Sequence, residues 1–123
     1  MRILYATLLA ALGGAAAGSP AMAAEQFGAM SYSRSLGTYA VALNHATRAG
    51  AEHTALATCR RASRDCSTPV WVQNGCVSIA IGQAHGFGSG WGSTPAAAEQ
   101  EAMDVCHGNA RNCAVRKTAC TRQ

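Results

Sequence analysis

The 123-residue chain is short of the side chains that most enzymes use: charged residues make up 13% of it, aromatic residues 6%, and only six side chains are acidic. Those six, Glu25, Glu52, Asp65, Glu99, Glu101 and Asp104, contain no pair set up as the acid and base of a glycosidase. Glu99 and Glu101 are two apart, so a helix would point them in different directions. No nucleophile elbow frames a serine, and no Lys-Ser/Thr ending completes a phosphate loop. No two cysteines have the spacing of a metal knuckle, and His45, His53, His85 and His107 form no i, i+4 pair. His45 and His85 could meet across a symmetry axis, but separate surface histidines account for them more simply. The reading is of a protein that is not an enzyme and holds neither a metal nor a cofactor.

Long apolar runs are also missing after the first two dozen residues. Arg2 precedes an apolar stretch over residues 3–17, Ser19 and Pro20 interrupt it, and Ala21-Met22-Ala23 has the small residues that signal peptidase requires. The stretch is shorter than the roughly 20 residues of a spanning helix. A signal peptide over residues 1–23 is therefore expected, then a single soluble domain over residues 24–123, periplasmic or secreted. Six cysteines, Cys59, Cys66, Cys76, Cys106, Cys113 and Cys120, fit three disulfides in an oxidising compartment. A domain of about 100 residues has a marginal core, so such staples are useful to it.

What the chain does have is repetition. Shifted by 47 residues, Cys59 meets Cys106, Cys66 meets Cys113, Thr47 meets Thr94 and Glu52 meets Glu99. Ala49, Ala51, Ala55 and Arg64 also meet their own kind, so eight of twenty positions agree. An internal duplication follows, with copies at about 27–74 and 75–123. Each reads as strand, strand, helix, strand. Thr47 and Thr94 are helix caps, and Pro95 takes a first-turn position where its missing N–H costs nothing. Ala55, Leu56 and Cys59, and likewise Ala102, Met103 and Cys106, form a narrow apolar stripe. Residues 70–79 read as a hairpin turning at Asn74-Gly75, with Val72 opposite Val77 and Val70 opposite Ile79. The expected fold is α+β: an antiparallel sheet of about six strands with two helices on one face. The repeat favours Cys59–Cys66 and Cys106–Cys113, leaving Cys76–Cys120 to join the copies; a rival scheme pairs Cys59 with Cys106.

Two features lie outside the repeat. Gly86-Phe87-Gly88-Ser89-Gly90-Trp91-Gly92 alternates, so a strand would show Phe87, Ser89 and Trp91 on one face and bare glycine on the other. The bare face suits close approach by a helix or a neighbouring backbone; Phe87 and Trp91, with Trp71, are either core or an aromatic binding ledge. The second feature is charge. Losing Arg2 with the leader leaves nine of ten basic residues against six acidic ones, a net of +3. Arg60, Arg61 and Arg64 cluster after the first helix, either as a solvated surface or as a patch for an anionic envelope component.

The ordered set of motifs resembles domain-of-unknown-function family 4189, small exported bacterial proteins. It is carried by Gly28-Ala29-Met30-Ser31-Tyr32-Ser33, Thr47-Arg48-Ala49-Gly50-Ala51-Glu52 leading to Cys59, Asp65-Cys66, Asn74-Gly75-Cys76, Gly90-Trp91-Gly92 and Thr118-Ala119-Cys120. Tyr39-Ala40-Val41-Ala42 departs from it, where an aromatic and glycine-rich strand would be typical. The resemblance implies a secreted or periplasmic protein and supplies no catalytic residues. The functional expectation is an exported module that binds a macromolecule, a protein or an anionic envelope component, and not nucleic acid. The alternatives are a small envelope hydrolase or an inhibitor of one. Inhibitors of basic lysozymes tend to be acidic, which counts against the latter.

Overall fold

The computed structural model describes residues 25–122, so the expected leader lies outside the described residues. Six strands and two helices follow in order: β1 (Phe27–Ser33), β2 (Thr38–His45), α1 (Arg48–Arg60), β3 (Cys66–Gln73), β4 (Cys76–Ile81), β5 (Phe87–Gly92), α2 (Pro95–Asn109) and β6 (Ala114–Cys120). A single 3-10 turn, Gln83–His85, leads into β5. The α+β class, the antiparallel strands and the disulfide staples are as the sequence indicates.

The strands make two sheets of three, ordered β2-β1-β3 and β5-β4-β6, so each half of the chain builds its own sheet with its first strand in the centre. This corrects the expected hairpin. β3 pairs with β1, through Phe27 opposite Gln73 and Met30 opposite Val70, while β4 pairs with β5 and β6. At Asn74-Gly75 the chain crosses from one sheet to the other. Asn74, at φ 51°, donates its N–H to the Gln26 carbonyl, and Gly75 donates to Thr121 Oγ1. A Cβ on Gly75 would stand 2.7 Å from the Gly92 carbonyl oxygen, so the crossing is tight enough to require glycine.

Coverage of apolar surface explains the split. A single sheet with both helices on one face would leave Val70, Val72, Val77 and Ile79 facing water. Folded in two, the sheets cover each other: Met30, Tyr32, Val70 and Val72 pack against Val77, Ile79 and Ile81 in one buried cluster. The helices then close the outer faces. Ala51 and Ala55 of α1 pack on Ala29 and Ala42, and Ala102 and Cys106 of α2 pack on Ala80. The layers run helix, sheet, sheet, helix, and the central strands β1 and β4 are buried along almost their whole length.

Both helices start as expected, with Thr47 Oγ1 accepting from the Gly50 N–H and Thr94 Oγ1 from the Ala97 N–H, while Pro95 opens α2. Ala51, Ala55 and Cys59, and in α2 Ala98, Ala102 and Cys106, are the buried stripe; Leu56 and Met103 sit half-buried at its margin. Cys59–Cys66 and Cys106–Cys113 each tie a helix end to the next strand. Cys76–Cys120 forms as well, but inside the second half, between directly opposed residues of β4 and β6. The expectation that it joins the copies is thus corrected. In the first sheet the corresponding opposed pair is Phe27 and Gln73.

Candidate functional site

The glycine alternation in β5 decides where α2 sits. A Cβ on Gly88 would lie 2.1 Å from the Cys106 nitrogen, and one on Gly90 would lie 2.4 Å from the Ala98 carbonyl oxygen. The bare face of β5 is the seat of α2, and no other residue fits there. Phe87, Ser89 and Trp91 consequently point the other way. Phe87 joins the interior margin, its ring centroid 4.4 Å from that of Tyr32. Trp91 does not enter the core; it is 58% exposed.

β3 and β5 are both edge strands, and the stacking of the sheets puts them side by side. Between them runs an open groove of about 530 Å³. Residues 69–73 of β3 form one wall; Ser89 and Trp91 of β5, with Glu101 of α2, form the other. Trp71, 37% exposed, is held rigidly at its rim. The Arg48 guanidinium carbon lies 4.2 Å from its ring centroid, and Phe27 stacks beside it at 6.3 Å and 28°. Arg48 is itself anchored by an ion pair with Glu52 one helical turn on. Glu101 is the one acidic residue of the groove wall and makes no ion pair among the described residues.

The opposite edge, where β2 lies over β6, is closed. The Tyr39 hydroxyl reaches the Arg116 carbonyl at 3.4 Å, and the Arg122 N–H donates to Asn44 Oδ1 at 2.8 Å. By strand pairing Trp71 corresponds to Thr118, and Trp91 to the bulge of β2 at Leu43 and Asn44. Both counterparts are committed internally, Thr118 donating to Glu99 Oε1 at 2.8 Å and Asn44 accepting from Arg122. The fold therefore does not require tryptophan at these places.

Of the residues singled out from sequence, Trp71 and Trp91 are brought together. Phe87 instead borders a smaller cavity of about 190 Å³ shared with Arg34 and Asn109. Arg60 and Arg61 end α1 and Arg64 lies in the following loop, all exposed and none lining the groove. Ser89 lies on the predicted face of β5 with Trp91, whereas Gln73 and Glu101 reach the groove only through the stacking of sheets and helix.

A further polar cluster surrounds Asp65. Asp65 Oδ1 accepts from the hydroxyls of Ser33, Ser63 and Ser35 at 2.5, 2.6 and 2.8 Å, and Oδ2 accepts from the Ser35 N–H at 2.9 Å. The Ser33 bond first, then those of Ser63 and Ser35, hold this carboxyl far below the ordinary range. His85 does not complete a triad with them: its Nδ1 faces the carbonyls of Arg34 and Ser35. His45 and His85 lie at opposite ends of β2, since Thr38 follows the turn that His85 touches, so they cannot share a metal. Among the described residues no group of three or more His, Cys, Asp or Glu could hold an ion.

Asp65 predicts a pH response. With its native pKa depressed, its stabilisation is present above the unfolded value near ~4 and is lost as pH falls below that. Asp65→Asn should unfold at lower denaturant than the parent at pH 7, and the gap should narrow by pH 3. A gap of constant size across that range would remove Asp65 as its source.

A family model described as Domain of unknown function (DUF4189) matches residues 27–120. The chain belongs to this family. The matched span begins with β1 and ends with β6, so both sheets, both helices and the β3/β5 groove belong to the DUF4189 domain. No curated protein and no solved structure matches the chain. No helix among the described residues is long and apolar enough to cross a membrane.

Proposed function

We propose that this DUF4189 protein is a non-enzymatic binding module, exported from the cytoplasm, that takes a macromolecular ligand of the envelope or of a host into the groove between β3 and β5. The observation that carries the reading is the asymmetry of the two edges. One is closed by hydrogen bonds and carries Asn44 and Thr118; the other is open and carries Trp91 and Trp71. An exposed tryptophan costs solubility and adds nothing to the core, while a rigid aromatic at a groove rim is a typical binding anchor. Three disulfides with no free cysteine fit an oxidising compartment outside the cytoplasm.

Trp91→Ala separates binding from folding. Stability should change by less than about 0.5 kcal/mol, since the ring is largely in water. Affinity for a species retained from envelope extract should fall at least about tenfold. Equal retention by parent and variant would remove the groove from the reading. Turnover of peptidoglycan by the oxidised protein would replace a binding module with a hydrolase.

A further inference from the structure

The geometry points to the class of ligand: an extended polypeptide segment that adds as a strand to the free edge of β3. This deepens the groove reading above and rests on it. β3 has a strand partner, β1, on one side only. On its other side five successive residues, 69–73, line the groove, so what the groove presents is the strand edge-on. In an antiparallel pair alternate residues turn their N–H and C=O away from the partner, and here they turn toward the groove. Pro69 lacks an N–H, so it can offer new pairing only its carbonyl.

The composition of the edges supports this. Edge strands are commonly guarded by charge, and β6 carries Arg116 and Lys117. β3 reads Cys-Ser-Thr-Pro-Val-Trp-Val-Gln and β5 reads Phe-Gly-Ser-Gly-Trp-Gly, with no charge in either. β5 is the poorer acceptor, because α2 is seated against it and only Ser89 and Trp91 reach the groove. A strand on β3 would alternate its side chains between Trp91, inside the groove, and Trp71, at its outer rim. Glu101, an acidic side chain without an ion partner among the described residues, gives the occupant its charge: a lysine or arginine within the segment.

The test uses the oxidised protein and two probes, a displayed library of random decapeptides and chitotetraose. Peptides with apolar residues at alternate positions and one basic residue should be enriched. Binding should slow amide hydrogen exchange in β3, weaken at least about tenfold in Trp91→Ala, and weaken severalfold in Glu101→Gln. N-methylation of one alternate set of peptide amides should cost roughly fivefold or more per bond, and of the other set little. This arm uses the parent protein, so it stands even if a variant folds poorly. Equal tolerance of both N-methyl sets, or peptide binding without protection of β3, would overturn strand addition. So would self-association through β3, which would make a second copy the occupant. If chitotetraose perturbs the tryptophan fluorescence of the parent and not of Trp91→Ala, while peptides do nothing, strand addition falls and the groove reading stands. If neither probe reaches the groove, both fall.

Discussion

Gly88→Ala should be among the most damaging single-methyl changes in the molecule, lowering stability by about 3 kcal/mol and the melting temperature by on the order of 15 °C. The new Cβ would stand 2.1 Å from the Cys106 nitrogen and 2.3 Å from the Ala102 carbonyl oxygen. Both are backbone atoms of α2, so no side chain can swing aside. Relief requires the helix to lift from β5, and Cys106, fully buried and tied to Cys113, resists that movement. Gly108→Ala is the natural control, because nothing lies within 4 Å of its Cβ position and it sits within α2. It should gain roughly 0.5–1 kcal/mol from helix propensity. Thermal unfolding of the oxidised proteins distinguishes the two. Equal effects at both positions would mean that α2 is not seated on the glycine face. A lifted helix would also carry Glu101 away from the groove, so Gly88→Ala should weaken binding together with stability.

How much of this was legible beforehand depended on how local the governing rule is. Thr47 and Thr94 are recognisable caps because the requirement is satisfied within one helical turn. The alternation in residues 86–92 predicts a bare face open to close approach, since period two is a property of the strand alone; that α2 fills it is seen only in the fold. The disulfide pairs of the helix ends follow from a register that can be counted. Asn74-Gly75 misleads for the opposite reason. The same dipeptide serves a tight hairpin and a crossing between sheets, and the choice is made by which arrangement covers Val70, Val72, Val77 and Ile79. No local pattern contains that comparison. The groove is harder still to foresee. Gln73, Ser89 and Glu101 belong to three separate elements, and their convergence depends on two sheets stacking with edges aligned and on glycines letting α2 come close. Trp91 illustrates both outcomes at once: its face of the strand was predictable, its exposure was not.

Replacing the pair Cys76 and Cys120 together by alanine should cost about 4 kcal/mol, against roughly 2.4 kcal/mol for Cys59 with Cys66 or Cys106 with Cys113. The ranking comes from loop closure. The first bridge spans 44 residues and the other two span seven each, so the long one removes more conformational freedom from the unfolded chain. Native contacts argue for the reverse order, or for none. Cys76 and Cys120 are already opposed across a ladder, beside the paired backbone groups of Gly75 and Thr121, and the first sheet holds Phe27 and Gln73 at that place without a covalent link. The short bridges instead tie each helix end to the strand that follows it. Denaturant midpoints of the three double-alanine variants decide between these accounts. If the long bridge costs most, the staples act through the unfolded state, and the duplicated sheet needs no covalent help once formed. If the short ones cost as much or more, then holding α1 and α2 onto their sheets is what the cysteines chiefly do. Removing Cys106–Cys113 would then loosen the groove along with the fold, because α2 carries Glu101.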